Sequence, residues 1–158
     1  MSTPRRAPPP AAPPMLIGWR EWIGLPELGI PSLKAKVDTG ARTSALHAER
    51  VEAFERAGAR WVRFVVPLAG PDPHEAPLAD RRAIRNTGGV PEDRYVIETL
   101  LALGGRRWRI EVSLADRTAM GFDMILGRTA VRRRRLLVDP GRSFLAGEPR
   151  SARRARMH

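Results

Sequence analysis

From Leu33 to Val37 the chain alternates apolar and basic residues, Leu-Lys-Ala-Lys-Val, which is the period of a half-buried strand. Pro31 opens this strand and Asp38-Thr39-Gly40 ends it. Upstream, Met15 to Leu28 reads as a strand pair or a bent strand around Gly18 and Gly24, closed by Pro26, with Trp19, Trp22 and Ile23 as core candidates. Ser44 to Pro67 predicts a hairpin with arms near Ala45–Glu55 and Arg60–Val66 and Ala57-Gly58-Ala59 at the turn. A short amphipathic helix over Glu49–Arg56 competes, because Ala and Glu form helices readily. Between Ala69 and Asp93 the prolines 71, 73, 77 and 91 and the pair Gly88-Gly89 predict loop.

The second half carries clearer punctuation. Gly104-Gly105 between Tyr95–Leu103 and Arg106–Leu114 is a two-residue hairpin signal. Met124-Ile125-Leu126 before Gly127-Arg128 predicts a short buried strand, and Thr129–Arg135 one or two helical turns. Leu136–Val138 is a last core strand, ended by Asp139-Pro140-Gly141. Short strands separated by Gly and Pro predict an all-β fold, a small barrel or sandwich with one short helix.

Composition narrows what such a fold can do. The 158 residues suffice for one domain with a real core. It is placed at residues 15–146, between a Pro/Ala-rich tail at 1–14 and a basic tail at 147–158. With no cysteine, disulfides and thiolate metal sites are excluded. No run of eighteen apolar residues is present to span a membrane. Arg5 and Arg6 are followed by no apolar stretch, so the start is not read as a secretory signal, and a cytoplasmic location is expected. The net charge of +11, from 28 Lys and Arg against 17 Asp and Glu, favours polyanionic partners: nucleic acid, an anionic surface or an acidic peptide. Part of it sits in the tails, at Arg5, Arg6, Arg150, Arg153, Arg154 and Arg156.

The candidate chemistry starts at Asp38. A carboxylate at a strand end, a hydroxyl that can brace a turn and a glycine that lets main chains approach together present Asp38 rigidly. The same three residues also suit an ordinary turn. The histidines are His47, His74 and His158, with no His-Glu-x-x-His and no Gly-x-x-x-x-Gly-Lys-Ser/Thr loop, which argues against zinc and ATP.

The order of motifs resembles the retropepsin-type aspartic proteases: a strand into Asp38-Thr39-Gly40-Ala41, a Gly-containing loop, the Gly104-Gly105 hairpin, then Ile125-Leu126-Gly127-Arg128 before a short helix. More closely, Ile17–Trp22 together with Lys36–Ala48 is similar to the bacterial RimB-type retropepsin-like endopeptidases, once labelled ATP-dependent zinc proteases and associated with RimK-type glutamate ligases. Arg94–Thr99, Ser113–Arg117 and Met124–Arg128 add to the match, which covers roughly Leu16 to Phe144.

The resemblance implies a small closed barrel working as a symmetric homodimer. Each subunit would supply Asp38, set by Thr39 and Gly40, to a shared site that needs no metal or nucleotide. The sequence has one Asp-Thr-Gly, and Asp139-Pro140-Gly141 is no substitute, so one subunit holds half a site. Two such carboxylates would share a proton and activate a bridging water.

Ala41, Arg42, Thr43, His47, Arg81, Arg82, Arg85 and Arg128 are the candidate substrate-binding residues. In retroviral relatives an aspartate usually stands where this chain has Arg42, and pairs with the arginine corresponding to Arg128. Arg128 therefore needs another partner, and Arg42 is free to read an acidic side chain or a terminal carboxylate. Leu78–Glu92 is the candidate flap, with Gly88-Gly89 at its tip and Arg81, Arg82 and Arg85 as its charge. The expected substrate is an acidic peptide or a glutamylated protein, with a ribosomal protein among the expected partners. The competing reading is a non-catalytic basic module for RNA or a ribosomal surface, favoured by Arg132-Arg133-Arg134-Arg135.

Overall fold

A computed structural model of the chain describes residues 13–86 and 88–149. The expected tails, with their arginines at 5, 6, 150, 153, 154 and 156, lie outside these residues except at 13–14 and 147–149. Among the described residues twelve strands are formed, in chain order: β1 (Met15–Gly18), β2 (Arg20–Leu25), β3 (Ile30–Val37), β4 (Ser44–His47), β5 (Glu49–Arg56), β6 (Ala59–Val65), β7 (Pro73–Pro77), β8 (Asp80–Arg85), β9 (Pro91–Leu103), β10 (Arg106–Ala115), β11 (Met124–Leu126) and β12 (Leu136–Asp139). The α-helix among the described residues, α1, is a single turn at Arg128–Val131. The fold is therefore all-β with one short helix.

The main sheet runs β10-β4-β11-β3-β2-β9-β8, and β9 also pairs with β10, so the first six of these strands close into a barrel. β3 sets the rule for the rest. Leu33, Ala35 and Val37 are buried while Lys34 and Lys36 face out, as alternation requires. β9 and β10 form the long hairpin expected around Gly104-Gly105, in the register Leu103↔Arg106, with Gly104 at a φ of 59° that glycine tolerates. The Ser44–Pro67 hairpin also forms, with one difference. Its first arm breaks at Ala48, so that β4 stays in the barrel and β5 leaves to join β6 and β7 in a separate antiparallel sheet. Phe54 opposite Trp61 holds the outer part of that hairpin, and such a cross-strand aromatic pair favours the strand over the competing helix.

Three expectations need correction. The stretch 69–93 is not loop: β7 and β8 lie within it and β9 begins at Pro91. Its prolines are compatible because β7 and β8 are edge strands and Pro73, Pro77 and Pro91 stand at strand ends. Trp22 is not core. In β2 the inward positions are Glu21 and Ile23, and Trp22, 36% exposed, stacks on Phe144 with ring centroids 5.3 Å apart. Ile23 is fully buried and Trp19 is half-buried. Nor do β1 and β2 pair with each other, since β1 lies parallel to β12 and β2 pairs with β3.

Glu21 turns a carboxylate into the core for a specific reason. Its Oε2 accepts from the backbone N–H of Gly18 (2.6 Å) and Leu145 (2.8 Å), and its Oε1 from that of Ala146 (3.0 Å). One buried side chain thus satisfies three main-chain donors and ties the segment after β12 to the barrel. Gly18 lets this segment come close, because a Cβ there would lie 2.3 Å from the Arg142 carbonyl oxygen. Pro149, within the expected basic tail, is buried.

Candidate active site

β11 threads between β3 and β4, parallel to the first and antiparallel to the second, and this placement builds the Asp38 turn. Asp38 follows β3 directly, and its backbone N–H donates to the Leu126 carbonyl at 2.8 Å. Its Oδ1 accepts from the N–H of Gly40 (3.1 Å) and Ala41 (3.3 Å), which folds the side chain back over its own turn. Its Oδ2 has no protein partner among the described residues, so one carboxylate oxygen is held and the other is available. Asp38 is half-buried, and Thr39 and Gly40 beside it are exposed.

Arg128 supports the same turn from below. Its Nη1 donates to the carbonyls of Thr39 (2.9 Å) and Gly40 (3.4 Å), and its backbone N–H donates to Ala41 O at 2.7 Å. These carbonyls are the other partner that Arg128 needs in the absence of an aspartate at position 42. Gly127 lies so close to the chain after the turn that a Cβ would sit 2.5 Å from the Thr43 carbonyl carbon, and its N–H donates to Ser44 Oγ at 3.0 Å. Gly127→Ala is therefore expected to displace the Asp38 turn and to cost about 2 kcal/mol. A denaturant melt with the midpoint of the parent chain would contradict this.

Asp38, Gly40, Ala41, Arg42 and Thr43 line a cleft of about 770 Å³ whose opposite wall is the β8–β9 hairpin, through Arg82, Ala83, Ile84, Arg85, Asn86 and Arg94. The candidate flap is thus a strand hairpin rather than a loop. Its tip is organised by Asn86, whose Oδ1 accepts from the N–H of Gly88 and Val90 at 2.9 and 3.0 Å. Lys36, Ala45, Arg117, Met120 and Ile125 complete the lining.

The structure thus gathers Asp38, Gly40, Ala41, Arg42, Thr43, Arg82 and Arg85 around one cavity. Thr39, His47, Arg81 and Arg128 are not on its wall. Arg81 pairs with Asp93 at 2.7 Å and lies over the Tyr95 ring. His47 is buried: its Nδ1 accepts from the Arg117 N–H at 2.8 Å, and its Nε2 is 3.3 Å from Glu49 Oε1. Among the described residues no group of three or more His, Asp or Glu side chains is arranged to hold a metal ion.

Charge in the cleft is one-sided. Asp38 is its single acidic lining residue, against Lys36, Arg42, Arg82, Arg85, Arg94 and Arg117. Arg82 is neutralised by Glu111 and Asp80, each at 2.6 Å, and these bonds raise its pKa. Lys36, Arg42 and Arg85 have no acidic partner among the described residues. Sequence reasoning did not single out Lys36, Arg94 or Arg117. Lys36 had a usable signal, because it stands two residues before Asp38 on one strand face. Arg94 and Arg117 reach the cleft through pairing that no local pattern encodes.

Comparison with known proteins adds three findings. A family model described as "Retropepsin-like aspartic endopeptidase RimB" matches residues 16–149. The chain is 45% identical over 141 residues, 86% of its length, to a protein of Parasynechococcus marenigrum named probable alpha-L-glutamate ligase, and 43% identical over 138 residues, 84% of its length, to one of the same name from Shewanella pealeana. In both cases the chain spans about 30% of the relative's length. A crystal structure of a Legionella pneumophila protein of unknown function superposes with a TM-score of 0.73 at 28% identity, covering 84% of this chain and 98% of that one.

Proposed function

The chain belongs to the RimB-like family of retropepsin-like aspartic endopeptidases, and from that premise we propose that it hydrolyses peptide bonds in acidic, glutamate-rich tails as a symmetric dimer. The observation that carries this reading is the cleft itself, a single available carboxylate oxygen surrounded by cations. One subunit offers one aspartate, so a second copy related by a two-fold axis supplies the other. The two Asp38 carboxylates share a proton. One takes a proton from the water between them as its oxygen attacks the scissile carbonyl, while the protonated partner hydrogen-bonds that carbonyl oxygen. Collapse of the tetrahedral intermediate breaks the C–N bond, and the leaving amine takes up a proton.

Lys36, Arg42 and Arg85 draw an anionic peptide into the cleft. The glutamate ligases in which a similar module makes up about 30% of the chain support a glutamyl substrate, since a module joined to a ligase meets the tails that the ligase extends. Incubation of the purified protein with synthetic oligoglutamate and with a neutral peptide of equal length tests the reading by mass spectrometry. Cleavage of the first and not the second is expected; cleavage of neither at any pH overturns it.

Arg42→Ala should lower kcat/KM on oligoglutamate by about tenfold, the loss of one charge-assisted contact. An unchanged kcat/KM on oligoglutamate would remove Arg42 from recognition.

One observation favours a second reading. Arg132 to Arg135 stand exposed in sequence between α1 and β12, which suits an RNA or ribosomal surface. That reading predicts steeply salt-dependent RNA binding in a protein without peptidase activity.

A further inference from the structure

Arg117 departs from the usual behaviour of arginine. It is 9% exposed, yet among the described residues no carboxylate lies within ion-pair distance of it: its Nε donates to the Phe122 carbonyl at 3.2 Å, and its backbone N–H is held by His47. Buried guanidinium groups are normally neutralised by an acid, because desolvation is costly. Its neighbour Arg94 lines the same cleft and has a side chain 13% exposed, with Glu92 as its acid at 3.2 Å. Where the cleft runs under the flap tip, these two arginines also border a side pocket of about 240 Å³, whose wall is completed by Asn86, Gly88, Val90 and Met120 and by two carboxylates already engaged, Glu92 by Arg94 and Asn86 and Asp116 by Thr118. Burial, and then the like charge of Arg94, push Arg117 below its ordinary pKa, while Asp123 and Asp38 act the other way. The guanidinium remains charged.

We propose that Arg94 and Arg117 form a carboxylate-binding subsite at the flap end of the cleft, which fixes one anionic group of the peptide relative to Asp38. The proposal rests on the acidic-peptide reading above and deepens it. A carboxylate here would supply the acid that Arg117 lacks, and it would relieve the repulsion between the two guanidinium groups. Each guanidinium presents its N–H donors as a fork, so it suits the two oxygens of a carboxylate better than a lone hydroxyl. The side pocket holds the atoms that carry the carboxylate. These are either a glutamate side chain or the C-terminal end of the tail, and both present the same chemistry.

Binding is measured by calorimetry on full-length Asp38→Asn protein, which cannot turn the ligand over, with hexaglutamate as the probe. Arg94→Gln and Arg117→Met are each expected to weaken binding by about tenfold or more. Arg117→Lys, which keeps the positive charge, should restore part of the loss, and Arg117→Gln, which keeps a donor for Phe122 without the charge, should not. If Arg117→Met does not fold, Arg94→Gln, on the more exposed side chain, carries the test. A hexaglutamate amidated at its C-terminus separates the sources of the carboxylate. Equal sensitivity of both peptides to the substitutions assigns the subsite to a side chain, and sensitivity of the free acid alone assigns it to the chain end. Affinity within twofold of the parent in Arg94→Gln, or no hexaglutamate binding by the parent, overturns the subsite. Binding without cleavage by the unsubstituted enzyme would instead leave the subsite standing and remove the peptidase reading.

Discussion

Asp38→Asn is expected to lower peptide hydrolysis by about a thousandfold or more with no change in melting temperature. The two halves of that statement have separate causes. The turn depends on Asp38 Oδ1 as an acceptor for the N–H of Gly40 and Ala41, and asparagine keeps an oxygen there. What it loses is the capacity to take a proton from water and return it. Because the proposed site is shared, the variant should also poison the unsubstituted chain. An excess of Asp38→Asn subunits would draw active subunits into mixed pairs with one competent aspartate. Activity that falls in proportion to simple dilution, or survives the substitution, would disprove the shared dyad.

The largest expected effect on stability belongs to Glu21. Glu21→Ala removes the acceptor from three backbone donors at once, that of Gly18 buried and those of Leu145 and Ala146 part-buried. An unsatisfied buried donor costs about 1–3 kcal/mol, and partial relaxation of the released segment gives a net loss of about 4 kcal/mol. In a domain of this size that corresponds to a drop of more than about 10 °C in the melting temperature. Glu21→Gln should be milder. Its amide oxygen can still serve Gly18 and Leu145, which share Oε2, and only the donor of Ala146 then meets an NH2 group. The order Ala, Gln, parent in scanning calorimetry is the expected result. Equal midpoints for Glu21→Ala and the parent would show that this carboxylate stabilises nothing.

Glu21 also marks where the sequence was hard to read. Alternation along Arg20–Leu25 places 21 and 23 on one face, so a carboxylate had to be inside if Ile23 was, whereas the apolar neighbours Trp22 and Ile23 both read as core. The contacts that decide it come from Leu145 and Ala146, far along the chain. By contrast, β3 and the β9–β10 hairpin were legible because their signals are local: strict alternation in one, two glycines between apolar runs in the other. The flap strands were missed because prolines suggest loop, whereas an edge strand has one side free of ladder bonds and tolerates them.

At the site, the Asp38 turn was readable as a motif, and the support of its carbonyls by Arg128 was not. An arginine reaching main-chain oxygens leaves no partner residue in the sequence to search for. Arg117 was hidden for a related reason. Its environment is made by β4, by the flap and by the chain before β11, which are contributed by three separate stretches.

The threading of β11 has a consequence during synthesis. A ribosome delivers Asp38 well before Leu126, whose carbonyl receives its amide, and β11, which pairs with both β3 and β4, arrives with the same late segment. Until residues near 128 have left the exit tunnel, the aspartate sits in a nascent chain that lacks the central strand beside it, and only long-range closure completes its setting. The Asp38 turn thus takes its final shape only after a strand that is translated well after it.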